Sequence, residues 1–270
     1  MIKFVKKVVK KLLSYTKKAK IWWIITDKWD NFQGSYSTEN IFNIVKKSTK
    51  NVKDGIFAYE RDSVNFDTPV YQESVLFALR KIIADNGKNI KILDFGGALG
   101  SHYFCYSGHP EFHDVNFTWI VIEQEKFVEI GKNEFSDENL KFEFKIEDAL
   151  DKYGKPDLIL CSSVFMYIEN YVESLEKLCK LGSKYLLIAR NFVDYDLEDK
   201  IIAIQEVPKE IYEAKYPCYI FGKNFYDSII STFHYQEIFH CLSAVDGNYI
   251  QYRDKKNIQQ FCVEDKLFCL

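Results

Sequence analysis

The sequence predicts an α/β fold, a doubly wound parallel sheet with helices on both faces, and three observations predict it. From Ile90 onward short apolar runs, "IKILDF", "FTWIVIEQ", "KFEFKIED", "PDLILCSS" and "KYLLIARN", alternate with segments of helical period such as "EKFVEIGKNEF" and "NYVESLEKLCKLG". Most of the runs are of strand length and almost continuously apolar, as strands covered on both faces are. The first of them ends in an acid and a glycine-rich turn, "DFGGALG", where a doubly wound sheet keeps its ligand crevice. Strand-helix alternation implies parallel neighbours joined by right-handed crossovers. With 270 residues the chain can bury one large core and carry an appendage.

The appendage is N-terminal. Residues 1 to 26 hold eight lysines and no acid, and Ile2, Val5, Val9, Leu12 and Leu13 recur between them at helical spacing. This predicts a basic amphipathic helix over 1–26. Its lysines keep every apolar run short of a signal-peptide core and of the ~20 residues a membrane span needs. Such a helix lies either on anionic lipid, anchored by Trp22 and Trp23, or on the domain by its apolar stripe. Residues 27–89 read as a helical cap over the substrate. One helix falls in "STENIFNIVKKSTKNV", with Ser37 or Thr38 as N-cap, and another runs from about Val70 to Asp85, stopped by Asn86-Gly87. Residues 90–270 form the sheet domain. After its fifth strand comes a long aromatic segment with Tyr195, Tyr212, Tyr216, Tyr219, Phe221 and Phe225. These rings either form a lid that stacks on a sugar or base, or stack on one another. The runs "YQEIFHCLS" and "DKLFCL" read as the last strands.

Charge and cysteine usage narrow the class. The net charge of -3, with the basic end set aside, leaves an acidic body, which disfavours nucleic acid as a partner. Seven cysteines, an odd number, are scattered singly without metal-ligand spacing, which points to the reducing cytoplasm and to no metal.

The glycine turn carries Gly96, Gly97 and Gly100 directly after Asp94. A phosphate loop ends in Gly-Lys-Ser/Thr, whereas Gly100 is followed by Ser101-His102. A dinucleotide fingerprint spaces its glycines G-x-G-x-x-G, and here Ala98 interrupts that pattern. The second strand ends at Glu123-Gln124, with Glu123 23 residues beyond Gly100, about where a carboxylate meets ribose hydroxyls. Glu147-Asp148 follow the third strand, where an acid, by preference Asp148, accepts from an adenine amino group. Cys161-Ser162-Ser163 close the fourth.

Taken in order, "ILDFGGALG", "IEQ", "EDAL" and "DLILCSSVFMYIEN" resemble the motifs of class I S-adenosylmethionine-dependent methyltransferases, over roughly Ile90 to Asn191. That family's turn usually reads D-x-G-x-G-x-G, and Ala98 replaces the middle glycine. With "YERDSV" at Tyr59 and "IQEVPKEIYEAKYP" at Ile204, the chain more narrowly resembles a methyltransferase family found with bacterial capsule and O-antigen genes. The resemblance implies a Rossmann-like, seven-stranded sheet with an antiparallel hairpin at one edge, and S-adenosyl-L-methionine as cofactor. It implies that Asp94, Gly96, Gly97 and Gly100 hold the methionine end, Glu123 with Gln124 the ribose, and Asp148 the adenine. It places Ser162 and Ser163 beside the methyl-bearing sulfur.

For the acceptor, His102 and Asp62 are candidate bases. Arg61 and Arg190, two of only four arginines, are candidates for gripping an anionic acceptor or for a structural ion pair. His109 and His113 read as loop residues with Pro110 between them, a poor metal pair. The leading expectation is methyl transfer to a hydroxyl of a small-molecule or lipid-linked saccharide. A nicotinamide-dependent oxidoreductase and a methyltransferase-like scaffold without catalysis are the alternatives.

Overall fold

The structure is a computed structural model, and it describes residues 21–29, 39–207, 213–243, 246, 250–254 and 257–270. The first elements are β1 (Trp22–Thr26), α1 (Glu39–Lys53), β2 (Tyr59–Arg61), β3 (Val64–Phe66) and α2 (Glu73–Asn86). The alternating region supplies β4 (Asn89–Phe95), α3 (Ser101–Ser107), β5 (Asn116–Ile122), α4 (Glu125–Ile130), β6 (Leu140–Glu143), α5 (Ile146–Tyr153), β7 (Leu158–Ser162), α6 (Tyr171–Cys179) and β8 (Tyr185–Asp194). Then follow β9 (Ile201–Val207), β10 (Ala214–Gly222), α7 (Asp227–Thr232), β11 (Gln236–Leu242), β12 (Ile250–Asp254) and β13 (Asn257–Cys269).

The doubly wound core is present. β6, β5, β4, β7 and β8 are parallel neighbours in that order, and β13 runs antiparallel between β8 and β11. These are seven strands with an antiparallel pair at one edge, as the resemblance implies, and β11 and β13 are the two strands expected from "YQEIFHCLS" and "DKLFCL". Leu93, Ile120, Ile159, Leu186 and Ile188 face one apolar cluster with α6, while Ile92, Trp119, Leu158, Leu160 and Leu187 face the other with α2. Each such fully buried side chain contributes about 1.5–3 kcal/mol of transfer free energy. Covering both faces explains why these strands read as unbroken apolar runs.

Three expectations are corrected. Trp22–Thr26 is a strand, not the end of a helix, because "WWIIT" is aromatic and β-branched and alternates inside and out: Trp23 is 5% exposed and Ile24 37%. Trp23 is therefore a core residue rather than an interfacial anchor. The rest of the expected basic helix, and the Ser37 and Thr38 caps, lie outside the described residues. The segment 27–89 is not wholly helical either. "YERDSV" forms the hairpin β2–β3, whose turn residues Asp62 (φ 50°) and Ser63 (φ 66°) take the left-handed conformation of a type I′ turn.

The aromatic segment after the fifth strand is no lid. It forms β9 and β10, which with β1 and β12 raise the sheet to eleven strands. The first part of β13 pairs with β12 and the remainder with β8, while the tip of β8 pairs with β10. The ring β8-β10-β9-β1-β12-β13 is thereby closed, a small barrel that leaves those strands no free edge. Trp23, Phe192 and Phe261 meet edge-on and tilted inside it, with centroids 4.8–5.7 Å apart. Tyr219 and Phe221 are buried against Tyr171. Tyr212 lies outside the described residues.

Candidate active site

The carboxyl end of the sheet brings the predicted residues of the first four strand tips to one side. Asp94, in the last turn of β4, is 1% exposed. Its Oδ2 accepts from the Trp119 indole N–H at 2.9 Å and lies 3.6 Å from Nδ1 of His102. Its Oδ1 is buried with no partner. The glycine next door explains how the carboxyl fits. A Cβ on Gly97 would lie 2.6 Å from the Asp94 Cγ, inside any real contact distance. Gly96 (φ 76°) and Gly100 (φ 91°) make the turn itself, in a region that side chains rarely adopt. Ala98 takes a positive φ as well, 51°, which a residue with a side chain seldom adopts.

At the tip of β5, Glu123 is half-buried and its Oε2 accepts the Gln124 backbone N–H at 2.7 Å. Burial pushes its carboxyl up from 4.5 to about 7, with a smaller push from Asp94, against the pull of two backbone amides. Gln124 itself is exposed. The third strand stops at Glu143, earlier than its sequence suggests, because Ile146 already begins α5. Asp148 therefore stands exposed on the first turn of a helix, and Glu147 faces outward to Lys177 at 2.7 Å. The buried acid of this tip is Glu143, which sequence reasoning missed. Its side chain is 4% exposed and pairs with Lys152 (2.8 Å) and Lys132 (3.1 Å). Burial raises that carboxyl, but the two lysines outweigh it and hold it below the ordinary range. The alternation of "KFEF" carried the only hint of it.

At the tip of β7, the Ser162 hydroxyl is buried without a partner, and Ser163 takes φ 54° while its N–H donates to the Ala189 carbonyl. The adjacent tips of β4 and β7 thus each carry a buried polar atom that the protein leaves unpaired. Such orphans are uncommon and cost about 1–3 kcal/mol each unless a ligand satisfies them.

The acceptor-side candidates are corrected. Arg190, at φ 54° near the end of β8, does not offer a free cation. Its guanidinium grips Asp246 through two bonds (2.7 and 2.8 Å) and Asp62 through two more (2.9 and 3.2 Å). With both carboxylates on its guanidinium and Arg61 beside Asp62, the clasp is balanced in charge and leaves Arg190 nothing to offer an anionic acceptor. Asp62, held by both oxygens, is likewise a poor base. Arg61 lies 3.8 Å from Asp62 and over the Phe66 ring. His109 accepts the Glu111 N–H, and the His113 ring meets the Pro110 carbonyl.

The clasp shows what "YERDSV" does. Glu60 is buried and accepts from the Ser48 hydroxyl at 3.0 Å, and burial pushes its carboxyl up, with a bond from Ser101 opposing. β2 therefore runs from Ser101, beside the glycine turn of β4, to Arg190 above β8, and β7 lies between those two strands. The hairpin is thus tied to both places. Asp265, at a bulge of β13, completes the support by accepting the Arg190 N–H (2.7 Å) and the Ser74 hydroxyl (2.5 Å).

No protein-family model matches the sequence, and no curated protein matches it. Among solved structures, the N-terminal domain of EvdMO1 with SAH bound is similar at 11% identity and a TM-score of 0.47, over 88% of this chain and 99% of that one. The glycopeptide N-methyltransferase MtfA is similar at 9% identity and 0.45, over 73% and 91%. An S-adenosylmethionine-dependent methyltransferase from Clostridium acetobutylicum ATCC 824 is similar at 12% identity and 0.42, over 74% and 92%. At such values the likeness is one of chain path, and the assignment of function rests on the site.

Proposed function

We propose that this chain is an S-adenosylmethionine-dependent methyltransferase whose cofactor crevice lies across the tips of β4, β5 and β7. One observation carries the reading: a buried carboxylate at the end of the central strand has an oxygen without a partner, and Gly97 alone leaves room for it. That oxygen fits the ammonium group of a methionine moiety. Glu123 accepts both ribose hydroxyls, Gln124 flanks them, and Asp148 meets the adenine amino group. Gly96 and Gly100 bring bare backbone to the ligand, and Ser162 and Ser163 border its sulfur. A pyrophosphate in the same crevice would face Asp94 and Glu123, which disfavours the oxidoreductase.

When bound, the cofactor supplies a methyl group already activated for transfer. The protein's own work is to align an acceptor and keep water out, which is worth about 7–11 kcal/mol in favourable cases. The hairpin β2–β3 serves the exclusion. His102 is the base, since it is one-fifth exposed and its Nδ1 faces the Asp94 carboxylate. Asp94 orients the ring. The acceptor is a hydroxyl of a neutral saccharide or saccharide precursor; the resemblance to polysaccharide-associated methyltransferases supports the sugar, and the engagement of Arg190 by two carboxylates speaks against a phosphate-bearing end near β8.

Calorimetric titration with S-adenosylhomocysteine and with NAD tests the cofactor. Micromolar binding of the first and none of the second is the expected result, and the reverse would sink the proposal. Mass spectrometry of surface glycans with and without the protein tests the acceptor, by the gain or loss of one methylene.

A further inference from the structure

The barrel has an outer wall that its own packing does not require to be apolar. Strand register aligns Pro217 on β10, Ile204 on β9, Ile24 on β1, Arg253 on β12 and Ile258 on β13 in one row across five strands. Ile24 is 37% exposed and Ile258 58%, and Ile204 and Pro217 are half-buried. Ile202 lies on the same face, opposite Thr26. The barrel's interior is filled by the alternate residues, among them Trp23, Ala203, Cys218 and Tyr252. The row is therefore a surface, an apolar band bordered on the same face by Lys215, Glu206, Gln251 and Gln260.

The segment that runs into β1 supplies the second observation. All eight lysines of residues 1–26 precede Ile21, and no acid accompanies them. Dense positive charge is thus tethered a few residues from an exposed apolar row. Such a pairing is the chemistry of an anionic lipid surface, where each cation near the headgroups adds about 1 kcal/mol and apolar side chains enter the interface. Among the described residues no helix is long and apolar enough to cross a membrane, so the contact is one of docking, not spanning.

We propose that the outer wall of the barrel, through Ile24, Ile204 and Ile258, is a docking face for anionic lipid, drawn to it by the lysines of residues 1–20. This stands independently of the cofactor assignment. The full chain is spun down with vesicles of phosphatidylcholine alone and with vesicles half phosphatidylglycerol. Binding only to the second, weakening as salt rises, is expected. Ile258→Asp should lower that binding roughly tenfold, by losing apolar insertion and adding a repelled charge. Its 58% exposure leaves the fold intact, which an unchanged melting temperature verifies. Ile204→Asp, at a half-buried position, is the second variant and should act in the same direction. Failure of the wild type to bind phosphatidylglycerol vesicles overturns the proposal. So does equal binding by Ile258→Asp, or light scattering that shows this substitution splitting a dimer, which would give the face to a second copy of the chain.

Discussion

Glu123 offers the sharpest test, because its carboxyl has been moved to where pH can be varied without unfolding the protein. Burial raises it from 4.5 to about 7. In the proposed complex two ribose hydroxyls donate to the carboxylate, and the ionised form, with both oxygens free to accept, binds them better than the protonated one, so binding favours loss of the proton. Affinity for S-adenosylhomocysteine should therefore tighten as pH rises and level off above 7. At pH 6 about nine-tenths of the empty molecules are protonated, and affinity falls roughly tenfold below its plateau, or about 1.4 kcal/mol. At pH 8 the loss is only about a tenth of the affinity. Titrations at both pH values, in two buffers of different ionisation enthalpy, read both the affinity and the released proton. Glu123→Gln should remove the pH dependence together with much of the affinity. A flat profile in the wild type, or the same slope in Glu123→Gln, would refute the reasoning. Stability carries the same signature with its own sign. The unfolded carboxyl ionises near 4.5 and the folded one near 7, so Glu123 makes folding less favourable as pH rises between those values. Above 7 its effect is constant, and there Glu123→Gln should melt at a higher temperature than the wild type.

Gly97→Ala forces a methyl group to 2.6 Å from the Asp94 Cγ; it should cost about 1–3 kcal/mol in denaturant unfolding and abolish S-adenosylhomocysteine binding, and normal binding would show the Asp94 pocket to be irrelevant. Arg190→Lys cannot hold two carboxylates in fork geometry, and with its side chain 13% exposed it should lose about 3 kcal/mol by the same measure. Asp62→Asn, on the exposed side of that clasp, should cost under about 1 kcal/mol but loosen the hairpin, seen as faster amide exchange in β2.

The parallel core and the glycine turn at the end of β4 were legible in the chain. A strand buried on both faces has to be apolar throughout, and a backbone that turns back toward a ligand has to use glycine; both demands are local, so they leave local marks around Ile92, Leu160 and Gly96. The acids were harder. Glu143 and Glu123 each stand at a strand end, but only the packing of Lys132 and Lys152 settles the first as an ion pair, and only burial makes the second a titrating group near neutrality.

What joins distant segments was beyond reach of the sequence alone. Arg190 meets Asp62 and Asp246 across 128 and 56 residues, and β1 meets β9 across nearly the whole sheet domain. Spacing cannot reveal such pairings, because a closed barrel or a two-sided clasp leaves no periodic trace. "YERDSV" carried no mark of its hairpin and "WWIIT" read as the end of a helix, since each is too short to declare its partner. The chain by itself determined which residues must hide from water and where its backbone must turn. The tertiary structure decided which of the charged residues find one another, because a charge becomes a base, a clasp or a bystander only through what stands within a few ångströms of it.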